Sequence, residues 1–307
     1  MDIALITADN KIAFRDQIPL TEEEDKVDKI TSTFFNIMKP KVGDRRIMGL
    51  CIIIPGIIDA ENKRILSTVI GVGYSDPVVQ RFEEAFHDYP FCLLNDTACF
   101  AYAEYVFANI TEPNFAYINV SKGVGACLFA NGKMLRGAGS NATQFGHFSV
   151  DRNGPLCACG NHGCVERVVG ENALTERAEA CGIDLTRFAG RKPLYCDIGA
   201  MAEDGDAHAK ELIKDLAVDL SFAISNLITL FNPSLVVIGG MGVNLGPFFL
   251  SNIRDEVQNS GFKEFVSNTW IQYSTLGLDS ELGGAARYYI DHYYDFFEQM
   301  QGGLYAD

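Results

Sequence analysis

Three cysteines and a histidine constrain this chain more than any other feature. Cys157, Cys159 and Cys164 lie in the run Cys157-Ala-Cys-Gly-Asn-His-Gly-Cys164, and His147 lies ten residues upstream in Gln144-Phe-Gly-His147. Thiolates held this close repel one another unless a cation joins them. Three thiols and an imidazole make a complete tetrahedral set for zinc. Four protein ligands leave no open position for water, so a zinc ion held this way is structural. His162, inside the loop, is an alternative fourth ligand.

The rest of the composition narrows the class. The chain has 307 residues, enough for two lobes with their own cores. It carries 40 acidic against 25 basic side chains, a net charge of −15. That argues against a nucleic-acid-binding surface in this chain and against an anionic membrane as partner, because both need clustered Lys and Arg. Met1-Asp2-Ile3 lacks the basic start of a signal peptide. The longest apolar run, Leu50 to Ile58, is broken by Pro55 and falls short of the ~20 residues a membrane helix needs. The expectation is a reduced, cytoplasmic protein, where clustered Cys bind metal rather than form disulfides. Cys51, Cys92, Cys99, Cys127, Cys181 and Cys196 then read as small buried hydrophobes.

The periodicities predict an α/β fold with partly parallel sheets. Ile3-Ala-Leu-Ile-Thr and Ile12-Ala-Phe read as a hairpin around Asp9-Asn10. A helix is expected from Glu22 to Met38, and a buried strand from Met48 to Ile54 that stops at Pro55-Gly56. A helix from Asp76 to His87 opens on Asp76 as its cap with Pro77 next. Phe91 to Leu94 is a strand that delivers Asn95-Asp96, and a helix follows to Ala108. Strands 115–120 and 125–129 flank Ser121-Lys-Gly-Val-Gly125, and Asn131-Gly132 is a hairpin turn. The longest helix runs from Asp206 to Phe231, ended by Asn232-Pro233. Leu235 to Ile238 is a buried strand followed by Gly239-Gly-Met-Gly242. Ile110 to Asn114 is the best linker. A helical, aromatic-rich tail is expected from Arg287 to Met300.

The zinc segment resembles that of the ROK family, the repressors, open reading frames and kinases. That family's pattern is Glu-X-Gly-His, then Cys-X-Cys-Gly-X-X-Gly-Cys-X-Glu. The chain has Gln144-Phe-Gly-His147, then Cys157 through Cys164-Val-Glu166. Pro55-Gly56-Ile-Ile-Asp59, Asn95-Asp96, Asn232-Pro-Ser-Leu-Val-Val-Ile-Gly-Gly240 and Gly283-Gly-Ala-Ala286 extend the likeness over residues 3 to 290. It implies a two-lobed, actin/hexokinase-like (ribonuclease H-like) fold with a zinc-binding loop and a small-molecule sugar in its cleft. The lobes would be residues 1–110, joined by the C-terminal helix 287–307, and residues 111–286 with the zinc site. A homodimer is expected on the same ground.

The resemblance also assigns roles. Asn95, Asp96, Gln144, His147 and Glu166 would bind the sugar. Asp96 would be the general base toward an acceptor hydroxyl, a task that suits a carboxylate. By itself, Asn-Asp after a strand is equally the look of a helix N-cap. His147 would serve twice, with one ring nitrogen on zinc and the ring thereby aimed at the sugar. Ser121, Lys122 and Gly123, with Gly239 and Gly240, would meet a nucleotide if one binds.

Three departures weigh against phosphoryl transfer. Family kinases open with a strand ending in Asp-X-Gly-Gly-Thr, a phosphate-cradling turn. Here Ile3-Ala-Leu-Ile-Thr-Ala-Asp-Asn-Lys matches the next strand and hairpin, so that first strand is expected to be missing. The kinases' Gly-Thr-Gly turn is Ser121-Lys122-Gly123, and the sugar-binding Glu is Gln144, whose neutral amide accepts weaker hydrogen bonds. The helix-turn-helix that ROK repressors carry ahead of the fold is also not in this chain. The sequence is therefore read as a sugar-sensing effector domain or a non-catalytic homologue. The alternative is an ATP- and Mg²⁺-dependent kinase of glucokinase or N-acetylhexosamine kinase type.

Overall fold

The computed structural model describes residues 1–21, 23–59, 64–68, 77–137 and 142–294. They fall into two compact units. One holds Met1–Asn109 with the segment from Asp279 onward; the other holds Ile110–Gly137 and Ala142–Leu278.

The first unit opens with an antiparallel hairpin, β1 (Asp2–Ile6) and β2 (Ile12–Gln17). Helix α1 (Lys26–Thr33) starts on Asp25, whose side chain accepts from the Asp28 amide. The helix does not stop at Met38. Residues 34–38 form a π turn, closed by the Lys39 N–H on the Phe34 carbonyl, and run into α2 (Lys39–Val42). Pro40 explains the π turn, since it lacks the N–H that an α-helical register would use. Strand β3 (Leu50–Ile54) pairs in parallel with β6 (Phe91–Asn95). Between them lie β4 (Gly56–Asp59), β5 (Arg64–Thr68) and α3 (Val78–Ala85). Pro55-Gly56 was expected to end strand structure, yet β4 begins at Gly56 and pairs antiparallel with β5. The cap expected at Asp76 lies outside the described residues. Helix α4 (Asp96–Phe107) leaves directly from β6.

The second unit is built on one five-stranded mixed sheet, in the order β11-β10-β7-β8-β9. Strands β7 (Phe115–Val120), β8 (Val124–Ala130) and β9 (Lys133–Met134) form an antiparallel meander. Asn131 and Gly132 turn between β8 and β9 with φ of 52° and 73°, as an Asn-Gly hairpin turn requires. Short helices α5 (Val165–Val169), α6 (Glu171–Ala180) and α7 (Tyr195–Glu203) lead to α8 (Ala207–Phe231). Asp206 caps α8 by accepting from the His208 and Ala209 amides, and Asn232 ends it in the left-handed region. Helix α8 returns the chain to β10 (Leu235–Gly239), parallel to β7. Helices α9 (Gly246–Gln258) and α10 (Lys263–Ser267) carry it to β11 (Trp270–Tyr273), parallel to β10. Leu212, Leu216, Leu220, Ile224 and Ile228 of α8 are fully buried. At ~1.5–3 kcal/mol for each large aliphatic side chain removed from water, they form the main apolar seam of this unit.

Finally α11 (Ser280–His292) rejoins the first unit. It starts before the tail helix expected from Arg287, and the part of that tail beyond residue 294 lies outside the described residues. Among the described residues no helix is long and apolar enough to cross a membrane.

Helices α4 and α11 touch through Gly284, where an added Cβ would stand 2.1 Å from the Cys99 carbonyl oxygen and 3.0 Å from Ala103. Gly284→Val must therefore push the helices apart. It should lower Tm by about 5 °C or more, as overpacking costs of 1–3 kcal/mol imply. A melting curve within 1 °C of the parent protein, measured by circular dichroism, would contradict this packing.

Candidate functional site: a metal-ligand loop and its neighbours

In the second unit, His147, Cys157, Cys159 and Cys164 bring one ligand atom each within 4.8 Å of all the others. Cys157 Sγ lies 3.6 Å from His147 Nδ1, and Cys159 Sγ lies 3.6 Å from Cys164 Sγ. A tetrahedron with Zn–S bonds of ~2.3 Å has edges of ~3.8 Å, so the donors stand at the spacing a single zinc ion needs. His162 is not among them. Its Nδ1 lies 3.0 Å from the Gly154 carbonyl, and the structure groups His147 with the thiols.

Local backbone bonds preorganise this set. The Cys157 amide donates to the Asn161 carbonyl at 2.8 Å, and the Gly160 amide returns to Cys157 at 2.9 Å. Single bridges pair Ser149 with Cys164 and Leu156 with His162, closing the loop on itself. Cys157 and Cys164 are buried, and Cys159 is exposed. Burial, reinforced by hydrogen bonds with Cys159 and Cys157, pushes the Cys164 thiol up to about 12. The Asn161 backbone holds the Cys159 thiol below its ordinary value. A cation entering here must displace protons, so its affinity falls as pH falls.

The loop's last donor is also a helix start. Cys164 occupies the N-cap position of α5, and Glu166 is the second residue of that helix. The Glu166 carboxylate accepts from the Val124 amide at 3.3 Å. A Cβ added at Gly123 would stand 2.5 Å from it. His147 ends a short 3₁₀ turn, Phe145–His147, preceded by exposed Gln144. The start of β8 packs on that turn so closely that a Cβ on Gly146 would overlap the Val124 carbonyl. The turn that carries Gln144 and His147, and the Glu166 carboxylate, both meet Val124 at the start of β8. Nδ1 of His147 faces Cys157, which leaves Nε2 on the opposite side of the ring.

Ser121, Lys122 and Gly123 form the turn between β7 and β8, and β10 ends beside it. The Ser121 hydroxyl donates to Asn119 Oδ1 at 3.0 Å and accepts from the Met241 amide at 3.1 Å. Tyr195 Oη donates to the carbonyls of Ser121 and Val169, at 3.1 and 2.9 Å. A Cβ on Gly239 would collide with the Tyr117 hydroxyl, and one on Gly240 with Asn119 and Ser121. The two glycines therefore have a packing reason of their own. Lys122 is exposed.

In the first unit, Asn95 is the N-cap of α4. Its Oδ1 accepts from the Ala98 amide at 3.1 Å, and its Nδ2 donates to the Gly56 carbonyl at 2.6 Å. Asp96 Oδ1 accepts from the Thr97 amide at 2.8 Å. Burial raises the Asp96 carboxyl above the ordinary aspartate value. The sequence reading missed one member of this neighbourhood. Glu281, in the first turn of α11, is pushed up to about 7, first by burial and then by the charges of Asp96 and Asp2, with Arg15 opposing. An acid just ahead of Gly283-Gly-Ala-Ala286 was the signal that could have found it.

Together these features define a fold of the actin/hexokinase type carrying a zinc-type ligand loop beside its main sheet. The sequence pattern of the ROK family matches residues 1–291, and the chain belongs to that family. It is 26% identical over 250 residues to the xylose repressor of Bacillus subtilis, covering 81% of this chain and 62% of that protein. It therefore spans about three fifths of that relative's length. It is 26% identical over 296 residues to the transcriptional dual regulator NagC of Escherichia coli, covering 92% of this chain and 71% of NagC. Among solved structures, a ROK family transcriptional regulator homologous to E. coli Mlc superposes with a TM-score of 0.79 at 24% identity, covering 93% of this chain and 74% of that one. A ROK family glucokinase from Streptomyces griseus, in complex with glucose and AMPPNP, gives 0.75 at 23% identity, covering 93% and 94%.

The Glu281 carboxyl is neutral over a wider pH range in the folded chain than in the unfolded one. Its contribution to stability is complete below the ordinary glutamate value near 4.5 and is lost as pH rises through about 7. Glu281→Gln should therefore raise Tm by about 3 °C at pH 8 and leave it unchanged at pH 4. Parallel Tm–pH curves for the two proteins would refute the assignment; the thiols titrate in both and cancel.

Proposed function

We propose that this chain is the sugar-binding effector module of a ROK regulator, or a non-catalytic homologue of one, with zinc as its structural ion. One contact carries the reading: the Glu166 carboxylate is seated on the Val124 amide at the Ser121–Val124 turn. A kinase of this family would need that turn open toward an anionic phosphate. Here an acid of the chain itself occupies one of its amides, and like charge disfavours phosphate beside it. The exchange of the family's acid for Gln144 fits the same reading.

In this reading Glu166, His147 through Nε2, and Gln144 contact sugar hydroxyls. The family resemblance assigns Asn95 and Asp96 to sugar hydroxyls as well. Zinc would fix the tautomer and orientation of His147 and hold the start of α5, and so aim Glu166. Nine free cysteines support a reducing, cytoplasmic setting. The exposed Val218, Phe222 and Leu230 on α8 support a homodimer.

One observation favours the second reading, an ATP-dependent sugar kinase using Mg²⁺. Burial raises the Asp96 carboxyl, which is how a general base is brought nearer to working pH. In that case Ser121, Lys122, Gly123, Gly239 and Gly240 would face the nucleotide.

Thermal shift separates the two, because a ligand that binds only the folded state raises Tm. Xylose, glucose and N-acetylglucosamine should be screened with and without ATP–Mg²⁺. A shift with one sugar, none with ATP–Mg²⁺, and no sugar-dependent ADP is expected. Sugar-dependent ADP release abolished by Asp96→Asn would overturn the sensor. Glu166→Gln should weaken sugar binding about tenfold or more, since a charged acceptor is replaced by a neutral one.

For the metal, elemental analysis should find one zinc per chain. Chelation or Cys159→Ala should remove it together with the sugar-induced shift, and added zinc should restore only the chelated protein. Unchanged sugar affinity in the zinc-free protein would refute the coupling.

A further inference from the structure

The segment Lys39-Pro-Lys-Val-Gly-Asp-Arg-Arg46 places four basic side chains within eight residues of a chain whose net charge is −15. Gly43, at the end of α2, adopts φ +62° and ψ −135°, a conformation that L side chains rarely take. That turn brings Arg45 and Arg46 back beside Lys39. The three line a cavity of about 400 Å³ with Ile47, Met48 and Tyr89. A cavity of this size suits a small molecule rather than a protein surface. Asp88 is the one carboxylate in the lining, and it lies 3.3 Å from the His87 ring.

Three of these cations are held by aromatic rings or a backbone carbonyl. Among the described residues no carboxylate pairs with Lys39, Lys41 or Arg45. The Lys39 ammonium sits 5.5 Å from the ring centroids of both Phe35 and Tyr89, and the Lys41 ammonium 5.3 Å from that of Phe14. Arg45 uses its Nε on the Val42 carbonyl at 3.2 Å. Both terminal nitrogens of its guanidinium remain available, in the fork that matches two phosphate oxygens. By contrast, exposed Arg15 and Arg191 pair with Asp279 and Asp197.

We infer that this cavity is a binding site for a small phosphorylated metabolite, distinct from the sugar residues above. Lys39 and Arg45 take the phosphoryl group, and the carbon skeleton lies against Tyr89 and Met48. The clustered basic side chains lining the cavity attract a small anion against the chain's net negative charge, and the attraction is screened by salt.

Calorimetry on the zinc-loaded full chain tests this, with inorganic phosphate, glucose 6-phosphate and free glucose as probes. In 50 mM salt, glucose 6-phosphate should bind with a Kd below about 1 mM and more tightly than inorganic phosphate. A saturating excess of free glucose should not displace it. Lys39→Ala and Arg45→Ala, both at exposed positions, should each weaken it about tenfold with unchanged melting curves. Lys11→Ala, which removes a cation paired with Asp9, should leave it unchanged. The inference fails if neither anion binds saturably up to about 10 mM. It fails equally if the skeleton adds nothing over inorganic phosphate, if glucose competes, or if the Lys39→Ala/Arg45→Ala double variant binds as the parent does. None of these results bears on Glu166 or on zinc, so this proposal and the sensor reading stand or fall separately.

Discussion

Four donor atoms within 4.8 Å of one another are a demand for a cation, and the second unit is arranged around that demand. Cys157 and Cys164 are buried, and burial makes the Cys164 thiol resist ionisation. A bound metal would remove the conflict by supplying positive charge beside the buried thiols. The consequence is carried mechanically. Cys164 is at once a donor and the residue from which α5 leaves, and Glu166 stands two residues later. His147 is at once a donor and the end of the turn packed on the start of β8. Loss of the cation would free both ends of one structural path, from the ligand loop to the Ser121–Val124 turn.

That path bears on the choice between sensing and catalysis. A phosphoryl-transfer site depends on amides and cations held open for negative charge. In this chain the Ser121 hydroxyl is satisfied by Asn119 and the Met241 amide, and the Val124 amide by Glu166. Tyr195 ties the carbonyl of Ser121 to that of Val169, at the other end of α5. The turn is thus cross-linked by neutral partners and one acid, with Lys122 as its exposed cation. A sugar hydroxyl that recruited Glu166 would have to compete with the Val124 amide. In the proposed reading, sugar binding and the conformation of the turn would be coupled through one carboxylate, which is what a sensor requires.

How far the sequence carried this depends on what kind of signal each element leaves. The ligand loop was legible because donor chemistry and spacing are local. So were α8, with its long apolar stripe, and the β7, β8 and β10 strands, which are apolar and bounded by turns. The β4–β5 hairpin was not, because Pro55-Gly56 reads as a stop while the structure uses Gly56 to start a new strand. The first helix was placed from Glu22 to Met38; it begins at Lys26 and continues through the π turn to Val42. His147 and His162 could not be told apart by spacing, since both lie within reach of the thiols; the structure groups His147 with them and places His162 Nδ1 by the Gly154 carbonyl. Glu281 was passed over although it stands just ahead of Gly283-Gly-Ala-Ala286. Its altered acidity arises first from burial and then from Asp96 and Asp2, which are far from it in sequence.

Asn95 shows how a structural and a functional reading can occupy the same residue. It caps α4 through Oδ1 and reaches Gly56 through Nδ2, so the strand end, the helix start and the Pro55-Gly56 segment share one side chain. Asp96 is consequently held at the first turn of a helix, with an oxygen already on the Thr97 amide. A helix N-terminus favours the charged carboxylate, while burial favours the neutral one. Burial is the largest influence on Asp96, and the Asp96 charge in turn raises Glu281. Under the kinase reading an acid in that position would serve as general base. What disfavours phosphoryl transfer in the proposed reading is the second unit's turn, where Glu166 meets Val124.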